Sequence, residues 1–452
     1  MNRDLDLTKG NVLQVLCKFT IPILFSILLQ TAYGTADLMI VGWFSGVADV
    51  SGVTIGSQIM QTVTAGYIGL AMGTTVLLGR FIGSGEPEHA SKIVGVSIAL
   101  FAVLSVVSTI LLVVFRGAIA LAMQTPSESM TQTTQYLLIT GLGTTFIVFY
   151  NLIASVFRGI GDSKTPLVTV AIACAINIIL DLIFVGVFNF GANGAALATV
   201  IAQGGSVVAS FLMLRKRKLA FEVKAKDIKL DKITSGRIIS IGLPIAVQGM
   251  LVSLSFLFIT AIINDFGVTA SAAVGIVSKI SVLIMILPQG FSQALAAFTA
   301  QNMGAKKLER AKRALVYSIA ISLIFGIITG YISAFHGTIF TRIFTSDVDV
   351  TASALQYLKS YSIDCLFVAF MFSFCGYFNG CGKTKFVMIQ SVGCAFLIRI
   401  PLSYLFSTLE NTSLFLIGLA TPAATFVQIF MCVIFYIHTN KKCKNDELLI
   451  AE

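Results

Sequence analysis

Long apolar stretches alternate with short polar segments along the whole chain. A helix needs about 20 residues, at about 1.5 Å each, to cross the roughly 30 Å of hydrocarbon in a bilayer. Each apolar stretch is long enough, and the pattern predicts twelve membrane-spanning helices. The predicted spans cover residues 15–44, 51–80, 92–115, 130–157, 165–188, 193–214, 237–264, 270–300, 314–335, 351–378, 385–407 and 412–438.

The chain also repeats itself at a spacing of about 221 residues. Several motifs recur at this spacing, which is hard to obtain by chance. Because each half has six spans, both halves start on the same side of the membrane and form parallel repeats, and substrate sites tend to lie between such repeats. The matched positions are Ile21-Pro22 with Leu243-Pro244, Gly83 with Gly304, Phe115 with Phe335, and Phe157–Gly161 with Phe378–Gly382.

These features predict an all-α polytopic membrane protein of two six-helix bundles related by a pseudo-twofold axis along the membrane normal. The N-terminal bundle is expected to cover residues 1–214 and the C-terminal bundle residues 237–440. Residues 215–236 form the expected basic linker, and residues 441–452 form the expected tail.

Composition and charge support a lipid environment. Hydrophobic types make up 56% of the chain and charged types 12%, whereas roughly a quarter of the residues of a soluble domain are charged. The net charge is +10, and 26 of the 31 Lys and Arg residues lie in the terminal segments and in alternate loops. The positive-inside rule therefore predicts that both termini are cytoplasmic. Because no aromatic residues are interleaved with the basic ones, we expect no nucleic-acid partner.

Charged residues inside the predicted spans are rare, and each is therefore informative. An unpaired acid at the bilayer centre costs roughly 2.5–3.5 kcal/mol on insertion scales, so a retained one needs a partner, water or a function. The residues concerned are Asp37, Asp181, Lys279, Lys359, Asp364 and Arg399.

Depth along the helices brings two of these acids to one level. Asp37 and Asp181 lie 19 and 17 residues beyond the lysine at the cytoplasmic start of their spans, which is about 28 and 25 Å at the helical rise. Thr199 lies 16 residues before the basic residue that ends its span, at about 24 Å. Three polar groups from three spans are thus expected at one depth in the outer leaflet.

Polar residues on the same helix faces extend this expected site. Gln30 and Tyr33 lie seven and four residues before Asp37, and Asn177 lies one helical turn before the second acid, so they share its faces. Asn151 on the fourth span is expected to face the same cavity.

The two acids allow three interpretations. Held close together away from water, they are suited to carry a proton near neutral pH. With Asn177 and Thr199, their oxygens also suit a sodium ion, and the sequence does not choose between the two ions. Alternatively, each acid is a structural anchor between helices, although intramembrane acids are functional by default. Apart from the coupling ion, we expect no metal and no cofactor.

Asp364 lies near the middle of the tenth predicted span. Ion pairing with Lys359 or Arg399 and direct contact with substrate are both compatible with that position. Lys279 corresponds to Gln58 in the repeat and is expected to line the central cleft.

Pro22 also allows two interpretations. Inside the first helix, it removes a backbone hydrogen bond, so it can kink the helix and couple ion binding at Asp37 to bending. In the first turn it is harmless.

Several segments together resemble the multidrug and toxic compound extrusion family. The resemblance runs from about residue 10 to 438 and implies two bundles that alternate between inward- and outward-facing states. It also implies efflux of organic, often cationic amphiphiles in exchange for H⁺ or Na⁺. The segments that carry it are IPILFSILLQTAYGTADLMIVGWFSG (21–46), GRFIGSGEPEHASK (79–92), FRGIGDSKTP (157–166), NIILDLIF (177–184) and GANGAALAT (191–199).

The resemblance also implies roles for single residues. The family's acid on the first helix falls on Asp37, and the remaining positions of its cation pocket fall on Asn177, Asp181 and Thr199. Its surroundings match Gln30, Tyr33 and Asn151, and its helix-one proline matches Pro22. One branch of the family carries a C-lobe Glu on helix seven and an Asp on helix ten. Here residues 244–259 contain no acid and Asp364 lies too early, which favours coupling through the N-terminal lobe.

We therefore predict a bacterial cell-membrane antiporter, monomeric in the bilayer, that exports small organic molecules. The alternative within transport is a flippase for a lipid-linked precursor, which needs a cleft rich in cations. An enzyme is not expected, because no nucleophile with its base is recognisable.

Overall fold

A computed structural model of the chain describes residues 5–215, 225–345, 347–410 and 412–450. Throughout these residues the regular structure is helical, with no β-strand. Eleven helices are long and apolar enough to cross a membrane, and one bent pair of helices makes a twelfth span. The predicted all-α, multi-span architecture is confirmed for this part of the chain.

The helices lie close to the predicted spans, and most extend a few residues beyond them. The fifth span continues from α6 through a π-helical turn, Leu182–Val187, and the eleventh continues from α13 through another, Ala395–Arg399, into α14. The helices are α1 Val12–Phe44, α2 Val47–Ser84, α3 Pro87–Ala122, α4 Met130–Leu142, α5 Thr144–Gly159, α6 Lys164–Asp181, α7 Gly191–Arg215, α8 Lys232–Asn264, α9 Val268–Gly304, α10 Leu308–Phe335, α11 Thr338–Thr341, α12 Val348–Gly380, α13 Thr384–Cys394, α14 Ile400–Ser407, α15 Leu414–Gly418 and α16 Ala420–Ile450.

The fourth span differs from the straight helix expected over 130–157. It breaks at Gly143, and α4 and α5 meet there at a bend of 53°. A Cβ built on Gly143 would overlap the side chain of Val200 on α7. Because glycine has no side chain, α7 can pack directly against the break.

The chain divides into two compact units. The first contains the chain up to Met250, Ala296–Ala311 and Gly380–Gly382. In this unit α1 packs against α6, α6 packs against α7, and α2 packs against α4 and α5. An apolar core fills the unit, and its fully buried side chains include Leu78, Phe101 and Phe157.

The second unit contains Leu251–Leu295, Lys312–Asn379 and the chain from Lys383 onward. Here α16 packs against α13 and against the π-helical turn that follows α13. The core of this unit includes Ile263, Ile280, Leu358 and Cys365.

The N-terminal segment before α1 is bound by residues around the α9–α10 junction. Leu7 is fully buried, and its carbonyl oxygen accepts hydrogen bonds from Asn302 Nδ2 and from Arg310 Nε, each at 3.1 Å. The Nζ of Lys307 donates to the carbonyl oxygen of Thr8 at 2.9 Å. These contacts hold residues of the two sequence halves together within the first unit, at the end predicted to be cytoplasmic.

Part of the predicted linker, residues 216–224, lies outside the described residues. Beyond it, Asp231 precedes α8, accepts hydrogen bonds from the backbone nitrogen and hydroxyl of Thr234, and lies 3.2 Å from Lys92 Nζ on α3. Hydrogen bonds from Thr234 and then Lys92 lower the pKa of Asp231 to about 2. The carboxylate therefore keeps these contacts at neutral pH and loses them only as the pH falls below 3.8 towards that value.

Candidate functional site

The first predicted acid, Asp37, lies on α1, which packs against α6. Its side chain is 5% exposed, and its Oδ1 atom has no hydrogen-bond partner. A buried polar atom without a partner carries a desolvation penalty that a structural role does not explain.

The second acid, Asp181, ends α6 immediately before the π-helical turn Leu182–Val187. Its side chain is 0% exposed, and neither carboxyl oxygen has a conventional donor. The carboxyls of Asp37 and Asp181 lie within hydrogen-bonding range of each other. Two carboxylates cannot share a hydrogen bond, so the arrangement requires a proton on one of them or a cation between them. Single π-helical turns recur at functional sites because they redirect side chains.

Asn177 and Thr199 complete the predicted cation set. Asn177 lies one turn before Asp181 on the same helix face, is 1% exposed, and has no partner for its amide nitrogen or its amide oxygen. Thr199 lies on α7 and is partly exposed. Its hydroxyl is hydrogen-bonded to the hydroxyl of Tyr136 on α4, which lies within electrostatic range of both carboxyls.

The residues predicted to surround the pair are held by hydrogen bonds between helices. Gln203 Nε2 on α7 donates to the hydroxyl of Tyr33 at 3.3 Å. Gln30 Nε2 donates to the hydroxyl of Tyr150 on α5 at 3.2 Å. Asn151 is buried, but its Nδ2 donates to the carbonyl of Ile147 in its own helix at 2.8 Å.

Three residues of this neighbourhood were missed at the level of sequence, namely Tyr136, Tyr150 and Gln203. All are isolated polar groups within apolar helices, and a buried tyrosine hydroxyl usually has a partner. That signal could have marked the two tyrosines. The partner of each depends on helix register between spans, which periodicity along one helix does not contain.

The predicted residues of the C-terminal half lie in the second unit and differ in exposure. Lys279 on α9 and Lys359 on α12 are exposed, whereas Asp364 on α12 is 2% exposed. Arg399 is 4% exposed and within electrostatic range of Asp364. Of the two partners considered for Asp364, the structure therefore favours Arg399.

Pro22 lies inside α1, ten residues after Val12, and the helix continues through it. The first-turn interpretation is therefore wrong, since only a first-turn proline leaves the helical hydrogen bonds intact. The carbonyl of Pro22 accepts a hydrogen bond from Ser26 Oγ at 2.8 Å.

We expect Pro22→Ala to slow transport several-fold without reducing the amount of protein in the membrane. Alanine restores the missing backbone hydrogen bond and stiffens the part of α1 that leads to Asp37. Initial efflux rates, normalised to protein in the membrane, measure this effect. Pro244→Ala is the matched control, because Pro244 lies at the equivalent position of α8. An unchanged rate for Pro22→Ala would remove the hinge role.

The number of spans and the orphaned polar atoms in a buried pocket define a multi-pass membrane transporter. The MatE family model matches residues 22–183 and again residues 244–405. The chain therefore belongs to the MatE family, whose members are transporters and not enzymes. The two matches start 222 residues apart, in agreement with the internal repeat.

Similar proteins cover most of the chain. The probable multidrug resistance protein YoeA of Bacillus subtilis is 29% identical over 326 residues, which is 71% of this chain and 70% of that protein. YpnP, a probable multidrug resistance protein of the same organism, is 26% identical over 402 residues, or 89% and 90% of the two chains. A crystal structure of MATE in complex with MaL6 matches the fold with a TM-score of 0.92 at 20% identity, covering 98% of this chain and 100% of that one.

Proposed function

We propose that the chain is a secondary antiporter that exports organic, often cationic amphiphilic compounds in exchange for H⁺ or Na⁺. The relatives named as multidrug resistance proteins support the export of such compounds. The coupling site in this proposal is the pair Asp37 and Asp181, with Asn177 and Thr199.

The observation that carries the proposal is the set of buried polar atoms without partners at this pair. Oδ1 of Asp37, both carboxyl oxygens of Asp181 and both amide atoms of Asn177 are buried and unpaired. Such atoms are costly unless a proton, a cation or water occupies the pocket for part of the time. Carboxylate, amide and hydroxyl oxygens are also the ligands that hard cations prefer.

Exchange follows if the two arrangements of the transporter bind the cation with different affinities. Loading the pair from outside then favours one arrangement, and release of the cation inside favours the other. A ligand shifts such an equilibrium only by its difference in affinity between the two states. The protonated and the sodium-bound pair are both compatible with this scheme.

The flippase alternative has less support. It needs several cations around one cleft to hold a pyrophosphate, and the guanidinium of Arg399 is already bound by Ser255 and stacked on Phe256.

The test is gradient-driven transport in proteoliposomes that contain the purified protein. We expect a pH gradient or a Na⁺ gradient, imposed separately, to drive accumulation of a fluorescent cationic dye such as ethidium. An ionophore that collapses the active gradient is expected to abolish accumulation. Equal dye movement with and without either gradient, at the level of protein-free liposomes, would overturn the proposal.

A further inference from the structure

The second unit contains a buried charged cluster that the proposed coupling site does not use. Arg399 Nη1 donates to Ser255 Oγ on α8 at 3.2 Å, and the guanidinium lies 4.6 Å from the ring centroid of Phe256. Its Nε atom is buried without an acceptor. The group of opposite charge that acts on it is the carboxyl of Asp364, which is hydrogen-bonded to Thr425 on α16.

The internal repeat relates this cluster to the N-terminal pair. Equivalent positions of the two family matches are 222 residues apart, so Arg399 occupies the position of Asn177. Neither acid of the N-terminal pair has an acidic equivalent. Asp37 corresponds to Ile259, Asp181 corresponds to Ser403, and Tyr33 corresponds to Ser255.

Two of these exchanges compensate each other in volume. The N-terminal half combines a large residue, Tyr33, with a small one, Asn177, and the C-terminal half combines a small residue, Ser255, with a large one, Arg399. The hydrogen bond from Arg399 to Ser255 joins the two exchanged positions. The guanidinium therefore extends into the space that the smaller serine leaves, as close packing in an interior requires.

We propose that Arg399 is a tethered cation, which neutralises Asp364 and leaves the C-terminal half without a site for an exchangeable coupling ion. This inference rests on the proposed function, because it assigns the exchangeable ion to the N-terminal half alone. The charges differ accordingly: the N-terminal site has two carboxyls and no cation, whereas the C-terminal cluster has one carboxyl and one permanent cation. An arginine does not lose its proton in proteins, so its charge remains through the transport cycle.

The surroundings of Asp364 contain no second cation among the described residues that act on it. The groups of α12 that interact with its carboxyl electrostatically are Tyr357, Tyr361 and Cys365, and Arg399 approaches from the eleventh span. Removing the guanidinium would leave a buried acid that must take up a proton or another cation.

The experiment counts bound cations in the purified full-length protein. Protons on buried carboxyls are followed by the infrared carbonyl band of protonated carboxylic acids as the pH is changed, and sodium is followed by binding of radioactive Na⁺. In the wild-type background, Asp364→Asn is expected to leave the band and the bound Na⁺ unchanged. Arg399→Gln is expected to add one proton or one Na⁺ per protein, and Arg399→Gln combined with Asp364→Asn to lose that addition.

Arg399→Lys is the control, because it keeps a cation at the same position and should add no ion. Loss of a band or of bound Na⁺ in Asp364→Asn would overturn the inference, even if Arg399→Gln fails to fold. An unchanged ion count in folded Arg399→Gln would also overturn it. These outcomes differ from failure of the proposed function, which would appear as an absent signal from Asp37 and Asp181 in the wild-type protein.

Discussion

Replacing Asp37 or Asp181 with asparagine is expected to reduce efflux to the background of cells without the protein, while insertion into the membrane persists. Asparagine has nearly the size and shape of aspartate, but it can neither exchange a proton nor neutralise a bound cation. Because the two carboxyls are within hydrogen-bonding range, they act as one unit. Each single variant should therefore be as inactive as the double variant, which is the non-additivity expected of directly coupled residues.

Dye efflux from intact cells, normalised to the amount of tagged protein in the membrane, measures this effect. Asp49→Asn is the matched control, because Asp49 belongs to the same half and its Oδ1 accepts a hydrogen bond from the backbone nitrogen of Ala192 at 2.8 Å. Asparagine keeps that acceptor, so we expect normal efflux. Full resistance in both Asp37→Asn and Asp181→Asn would contradict the assignment of the coupling site.

Most of the fold could be predicted from the sequence because lipid imposes one rule on every span. A backbone in hydrocarbon must satisfy its own hydrogen bonds, so each apolar stretch of sufficient length becomes a helix. The break at Gly143 escaped this rule, because it depends on Val200 of another span packing against the glycine. The same holds for the π-helical turns after Asp181 and before Ile400, since no repeat in hydropathy marks them.

The candidate site was predictable to the extent that depth determines it. Counting residues from the basic end of each span places Asp37 and Asp181 at one level, and the structure has their carboxyls side by side. Rotation of each helix about its axis is not contained in such a count. For this reason Tyr136, which bridges to Thr199, was not found, and the exposure of Lys279 was not foreseen. The coupling roles of these residues remain predictions.

Two glycines of the repeat bring the ends of α2 and α9 into backbone contact. A Cβ on Gly83 would overlap the backbone oxygen of Gln301, and a Cβ on Gly304 would overlap the backbone oxygen of Arg80. Gly304 follows Gly83 by 221 residues, and Gln301 follows Arg80 by the same number. The contact is therefore self-complementary, as in a twofold interface. Small residues at a helix crossing allow this close approach in membranes.

Gly83→Ala and Gly304→Ala are each expected to destabilise this crossing, and the double variant more than either. An added methyl group in a packed contact costs about 1–3 kcal/mol, and here the neighbour is backbone, which cannot move aside as a flexible side chain does. We expect a lower melting temperature of the detergent-solubilised protein. We also expect faster labelling of a cysteine introduced at Thr8 in the N-terminal segment, which Lys307 and Arg310 hold against the same end.

Gly275→Ala is the control for both measurements, because Gly275 also lies in α9 and a Cβ there meets nothing within 4 Å. Replacing that glycine should leave the melting temperature unchanged or raise it, since alanine favours the helix by up to about 1 kcal/mol. If Gly83→Ala and Gly304→Ala melt like Gly275→Ala and label at the wild-type rate, the backbone contact does not hold this end closed. The two conserved spacings would then reflect helix termination at the loops rather than a contact between them.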